Sequence, residues 1–114
     1  MKIDSYSFGR IVIGGRAYTS DVIVFRDQVA APWWRKEGHC LDEEDLAAAF
    51  SAKPDVLIIG TGYSGVMSVP ETTVSAVSAR GIAVEIEKTG KAVERYNILA
   101  GTGKNIVAAL HITC

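Results

Sequence analysis

Val56-Leu57-Ile58-Ile59-Gly60-Thr61-Gly62-Tyr63-Ser64-Gly65 is the stretch on which the reading of the chain turns. Four consecutive apolar residues make a strand covered on both faces, as in parallel sheets. The glycines that follow spell G-x-G-x-x-G, the turn that lets a dinucleotide pyrophosphate approach a helix N-terminus. Glu85 and Glu87 even stand roughly 20 residues further on, where a ribose-binding acid is expected. Three features weigh against a dinucleotide fold. Its helix must open within the glycine run, whereas Pro70 marks a later helix start. Only 49 residues remain after Gly65 in a chain of 114 (114 minus 65). The motif also sits mid-chain. The plain reading is a strand-to-loop transition needing positive φ. A richer one is that loop amides at the carboxyl end of a parallel strand form a concavity for a carboxylate or phosphate.

Outward from this stretch the pattern is β-α. Downstream, Pro70 and Glu71 open a helix with Val74 and Val77 inward, and Gly81 ends it in left-handed geometry. Ile82 to Glu87 alternates and predicts a strand. Thr89 can cap a helix whose core face is Ala92, Val93, Tyr96 and Leu99. Gly101 to Asn105 is a turn, and Ile106 to Leu110 a closing strand. Upstream, Asp42 with Glu43, Glu44 and Asp45 starts a helix carrying Leu46 and Phe50, stopped at Lys53-Pro54-Asp55. Ile11-Val12-Ile13 and Ala17-Tyr18-Thr19 flank Gly14-Gly15, which suits a primed hairpin turn. Asp21 precedes the buried strand Val22 to Phe25, and Arg26 to His39 is irregular, with Pro32 barring a long helix. The expectation is a single three-layer α/β domain over residues 1–114. Its sheet is central, mixed and mostly parallel, with helices on both faces and an N-terminal β-hairpin.

Composition narrows the function. Hydrophobic residues are 48% and charged residues 22%, the balance of a globular domain. Twelve Lys and Arg against 13 Asp and Glu leave a charge of -1, which argues against a nucleic-acid binder. No apolar run approaches the ~18 residues of a membrane span. The start, with its early Asp4, lacks the apolar core of a secretory signal. Two cysteines give no disulfide framework, so the expected compartment is the reducing cytoplasm.

Other motifs fail their own chemistry. Gly101-Thr102-Gly103-Lys104-Asn105 is not a phosphate loop, because Ile98 stands where its first glycine belongs and Asn105 where a magnesium-holding hydroxyl belongs. Ser64 is not on a nucleophile elbow, since Val66 replaces the required glycine. His39-Cys40 and His111 with Cys114 offer zinc-ligand types, but adjacent residues rarely chelate one ion together. No metal or cofactor is expected. Trp33-Trp34 reads as one core anchor and one half-exposed ring, and an exposed Trp suits contact with a partner. Thr89, with Lys88 and Lys91, would lie on the same rim as Gly60 to Gly62. That rim is either an anion site or a capped surface helix with solvated lysines.

In their order, Val56 to Gly62, Gly81-Ile82-Ala83-Val84-Glu85, Thr89, Ala92, Tyr96-Asn97 and Val107 to Leu110 resemble the adipogenesis-associated methanogen-domain family. That family includes mitochondrial complex I assembly factor 3. The Gly14-Gly15 hairpin and Asp21 to Val24 fit as well, so the resemblance covers nearly the whole chain. It implies a three-layer α/β domain with an added β segment and no established enzymatic activity. It also implies, for eukaryotic members, a link to complex I assembly or adipogenesis. Thr102-Gly103-Lys104 stands where the family usually has acid-Gly-Arg, and Arg95 where it commonly has Thr. The missing presequence fits a prokaryotic or cytosolic member.

The expected function is therefore a non-catalytic assembly or interaction factor with a protein partner or a second copy of itself. Its surface would comprise Gly60, Thr61, Gly62, Thr89, Tyr96, Asn97 and Lys104, with partner contact at Trp33 and Trp34. The alternative is a small-ligand or anion-binding protein, or a small enzyme, using the Gly60 to Gly62 loop.

Overall fold

The computed structural model describes residues 1–114. Strands β1 (Ile3–Ser7), β2 (Arg10–Ile13) and β3 (Arg16–Tyr18) form an antiparallel sheet in the order β1-β2-β3. Then come β4 (Val22–Val24) and β5 (Val29–Ala30). A 3-10 turn (Glu43–Leu46) runs into the short helix α1 (Ala47–Ser51). The remainder alternates: β6 (Val56–Thr61), α2 (Glu71–Ala79), β7 (Ala83–Glu87), α3 (Thr89–Ala100) and β8 (Ile106–His111). The main sheet has the order β5-β4-β8-β6-β7. Strand β8 is parallel to β6 and antiparallel to β4, so the sheet is mixed, as expected.

Every residue of β6 and β8 is buried, because both faces of these strands are covered. Alternation deals their side chains to two cores. Val22, Val24, Val56, Ile58, Ile106, Ala108 and Leu110 pack against α3 (Ala92, Val93, Tyr96) and the first hairpin (Ile3, Ile11, Ile13). Ile23, Leu57, Ile59, Val107 and Ala109 pack on the opposite face against Trp33, Leu41, Leu46, Ala49, Met67 and Val77. A one-residue slip in either strand would exchange the two sets, so register is strongly specified. No helix is long and apolar enough to cross a membrane.

Several local expectations are refined. The segment after Asp42 begins as a 3-10 turn, with the Asp42 amide donating to Asp45 Oδ2 (2.9 Å), and Phe50 is only half-buried beneath Arg80. Gly14 and Gly15 take φ of 57° and 82°, as the primed hairpin requires. Strand β1 was not anticipated, because Ile3 is its one buried residue. Asn97 holds it: its Oδ1 accepts from the Ile3 amide (2.9 Å) and its Nδ2 donates to the Ile3 carbonyl (2.8 Å). Asn97→Ala removes both bonds and is expected to lower unfolding free energy by about 2 kcal/mol in urea denaturation. Unchanged stability would show that the pairing of β1 with β2 suffices to hold the strand.

Candidate functional site

Parallel pairing brings the carboxyl ends of β6 and β8 together, with Thr61 opposite His111 and Gly60 opposite Glu87 of β7. The start of α3 lies on the same rim. Thr89 is fully buried there. Its hydroxyl donates to the His111 carbonyl (2.6 Å) and accepts from the Gly62 amide (2.8 Å), while its own amide donates to the Gly62 carbonyl (3.0 Å). Thr89 therefore does not cap α3: Lys88 precedes the helix, and the hydroxyl is committed to two strand ends. Thr61 Oγ1 donates to the Glu87 carbonyl (3.2 Å). Gly60 is required because a Cβ there would lie 2.8 Å from Thr89 Oγ1. Gly62 has φ 110°, and a Cβ on it would overlap the carbonyl carbon of Cys114.

Gly60, Thr61, Gly62 and Thr89 thus converge as the sequence suggested. The loop amides after them are already engaged. Tyr63 N donates to the Thr113 carbonyl (2.6 Å), and Ser64 N (3.2 Å) and Val66 N (3.1 Å) to the Cys114 carbonyl. The amides of Tyr63, Ser64 and Val66 are thus spent on backbone oxygens of Thr113 and Cys114.

Tyr96, Asn97 and Lys104 do not join this rim. Helix α3 runs back along the sheet, so each turn carries its residues away from Thr89. Tyr96 faces the core, with its hydroxyl donating to the Phe25 carbonyl (3.3 Å), and burial raises its pKa. Asn97 is spent on β1. Lys104 lies at the opposite end, just before Asn105, whose carbonyl accepts from the Asp55 amide (2.8 Å) ahead of β6.

The tryptophans divide into a core anchor, as expected, and a ring more exposed than the half-exposed one expected. Trp33 is buried, with its indole N–H donating to the Asp45 carbonyl (2.9 Å), and the Arg35 guanidinium lies 4.7 Å from the centre of its ring. Trp34 is 81% exposed.

A cluster that sequence reasoning missed lies beside the rim. Asp21 Oδ2 contacts Arg35 Nη2 (2.8 Å) and His111 Nδ1 (2.9 Å), and Asp21 Oδ1 accepts from the Ile112 amide (2.7 Å). Arg35 Nη2 also approaches His111 Nδ1 (3.1 Å). An ionised carboxylate only accepts and a guanidinium only donates. The shorter contact therefore assigns the imidazole proton to Nδ1, pointing at Asp21. Burial pushes the Asp21 carboxyl up, but hydrogen bonds from His111, the Ile112 amide and Arg35 outweigh it and hold the group below its ordinary value. The only sequence signal was a histidine closing an otherwise apolar strand. The His39 ring stacks edge-on against His111 at 5.7 Å, yet no three His, Cys, Asp or Glu side chains are arranged to hold a metal ion.

Residues 3–111 match a family described as protein of unknown function, DUF498/DUF598. The chain is 30% identical over 111 residues to mouse NADH dehydrogenase [ubiquinone] 1 alpha subcomplex assembly factor 3, covering 95% of this chain and 58% of that protein. Among solved structures it resembles the conserved hypothetical protein PH1505 from Pyrococcus horikoshii OT3 (TM-score 0.85, 27% identity, all of both chains). It also resembles the Rpa2829 protein from Rhodopseudomonas palustris, with TM-score 0.77, 28% identity, and 95% of this chain against 80% of that one.

Two outcomes test the rim. Gly62→Val is expected to destabilise by about 3 kcal/mol or more, combining strain at positive φ with overlap at Cys114. Gly90→Ala, where a Cβ meets nothing within 4 Å, should be neutral or stabilising by up to about 1 kcal/mol. Similar urea midpoints for the two variants would contradict the close approach. Because the folded Asp21 carboxyl is depressed, its contribution is complete above the unfolded value near pH 4. It is lost as pH falls through the folded value. Asp21→Asn should cost about 3 kcal/mol at neutral pH and flatten the acid limb of the stability profile. An acid limb as steep as the parent's would place that pH dependence elsewhere.

Proposed function

The chain belongs to the DUF498/DUF598 family of proteins of unknown function, and from that premise we propose that it is a non-catalytic interaction factor that holds a protein partner during assembly. The mouse relative bears the name of an assembly factor. The observation that carries the reading is Trp34, 81% exposed on a backbone anchored by the buried Trp33 next to it. An aromatic ring presented from a fixed backbone loses little freedom on binding, which is how interface hot spots arise. In this reading Gly60, Thr61, Gly62 and Thr89 shape the rim, and their polar groups serve the fold. The partner is another protein or a second copy of this chain. Unpaired Cys40 and Cys114 support a reducing compartment such as the cytoplasm.

Affinity capture with the full chain, together with light scattering for self-association, tests the proposal. The expected result is a defined partner or dimer whose retention falls at least tenfold in Trp34→Ala with an unchanged melting temperature. A monomer that retains nothing would overturn the reading. Retention indifferent to Trp34→Ala would remove Trp34 from the interface.

A further inference from the structure

The partner reading does not use the guanidinium of Arg35. Its side chain is only 4% exposed. Nη2 is committed to Asp21 Oδ2 (2.8 Å) and to the Gly38 carbonyl (2.9 Å), while Nε and Nη1 are buried without a hydrogen-bond partner. Buried donors left unmade cost about 1–3 kcal/mol each, and more on a charged group. Native structures keep few of them, so two on one side chain call for an explanation. Beside Arg35 is a cavity of about 300 Å³, with Ser20, Pro32, Trp34 and Gly38 among the residues that wall it. That volume is at the small end of ligand pockets, about 300–1,000 Å³.

We propose that this cavity is a binding site for a small organic monocarboxylate. Its carboxylate oxygens would accept from the unpaired Arg35 donors, and its hydrocarbon part would lie against Trp34 and Pro32. The pairing is chemically specific, because carboxylate oxygens accept charge-assisted N–H bonds from guanidinium. Asp21, also on the wall, sets the charge limit. It already balances Arg35, so a monoanion is tolerated where a phosphate dianion is repelled. Nε and Nη1 are buried in the free protein, so the guanidinium must turn toward the cavity for the ligand to reach them. The backbone from Trp33 to Gly38 stays in place, fixed by Trp33 N to the Asp21 carbonyl (2.8 Å), the Trp33 indole to the Asp45 carbonyl (2.9 Å) and Lys36 N to Asp45 Oδ1 (3.1 Å). Only Nη2 ties the guanidinium, to Asp21 and Gly38, so the movement required is that of one side chain about those contacts.

The site is tested on the purified chain, so its fate is independent of any protein partner. Benzoate is titrated while the Arg35 Nε–H and Trp34 indole N–H signals are followed by NMR, with benzamide and inorganic phosphate as comparison arms. The expected result is a saturable shift of both signals with benzoate, with a dissociation constant on the order of 1 mM or tighter. Benzamide should be at least tenfold weaker. Trp34→Ala should weaken benzoate about tenfold without unfolding the chain, since the ring is exposed. Arg35→Lys should abolish the saturable shift, and if that variant does not fold, Trp34→Ala and benzamide decide. Equal binding of benzamide, a response to phosphate but not benzoate, or no saturation with benzoate would each overturn the proposal.

Discussion

One buried oxygen organises the carboxyl rim. The Thr89 hydroxyl gives its proton to the His111 carbonyl and takes one from the Gly62 amide, locking the ends of β6 and β8 to the start of α3. Gly60 follows from that contact, because the approach is too close for a side chain there, while Gly62 follows from its positive φ and the nearness of Cys114. Fixing His111 in turn places its imidazole against Asp21, and Asp21 draws in Arg35, which stacks on Trp33. Trp34 stands in solvent at the end of this chain of contacts.

Strands and helices were legible wherever burial imposed a period. In β6 and β8 the coverage of both faces produced unbroken apolar runs, and α3 showed its face through Ala92, Val93 and Tyr96. Strand β1 was not legible, since Ser, Tyr and Asp dominate a segment whose tether is a polar side chain on α3. Strand β5, two residues long, has no period to read. The glycine stretch could be recognised as a strand ending but not as an occupied one, because its acceptors come from Thr113 and Cys114, far along the chain. Tyr96 and Asn97 stand apart from that loop because α3 carries its later turns away from Thr89, and Lys104 lies in the turn beyond the helix. The cluster of Asp21, Arg35 and His111 was hidden for the opposite reason: Asp21 and His111 are 90 positions apart and share no motif.

The ionic contacts differ in what they accomplish. Lys36 pairs with Glu44 (2.7 Å) in solvent, where screening and side-chain entropy leave little net effect. Glu85 and Arg95 make a two-point contact (2.8 and 2.9 Å) between β7 and α3 at partial exposure, and the arginine lowers the acid's pKa. The pairing of Asp21 with Arg35 is largely desolvated, and such a pair favours one arrangement of the surrounding chain more than it adds stability. It joins the residue before β4 to a segment with no regular structure, which explains how Trp33 and Trp34 keep opposite environments without a helix to separate them.

Strand β8 sits between β4 and β6, so Val22 finds its neighbour at Leu110. The pairing of β4 with β8 therefore cannot form until a very distant segment has docked. Such topology makes for slow acquisition of structure, since the entropy of closing that long loop is lost before any pairing is gained. Nascent β4, with three apolar residues and one edge unsatisfied, would meanwhile be a target for chaperones or for mispairing with another chain.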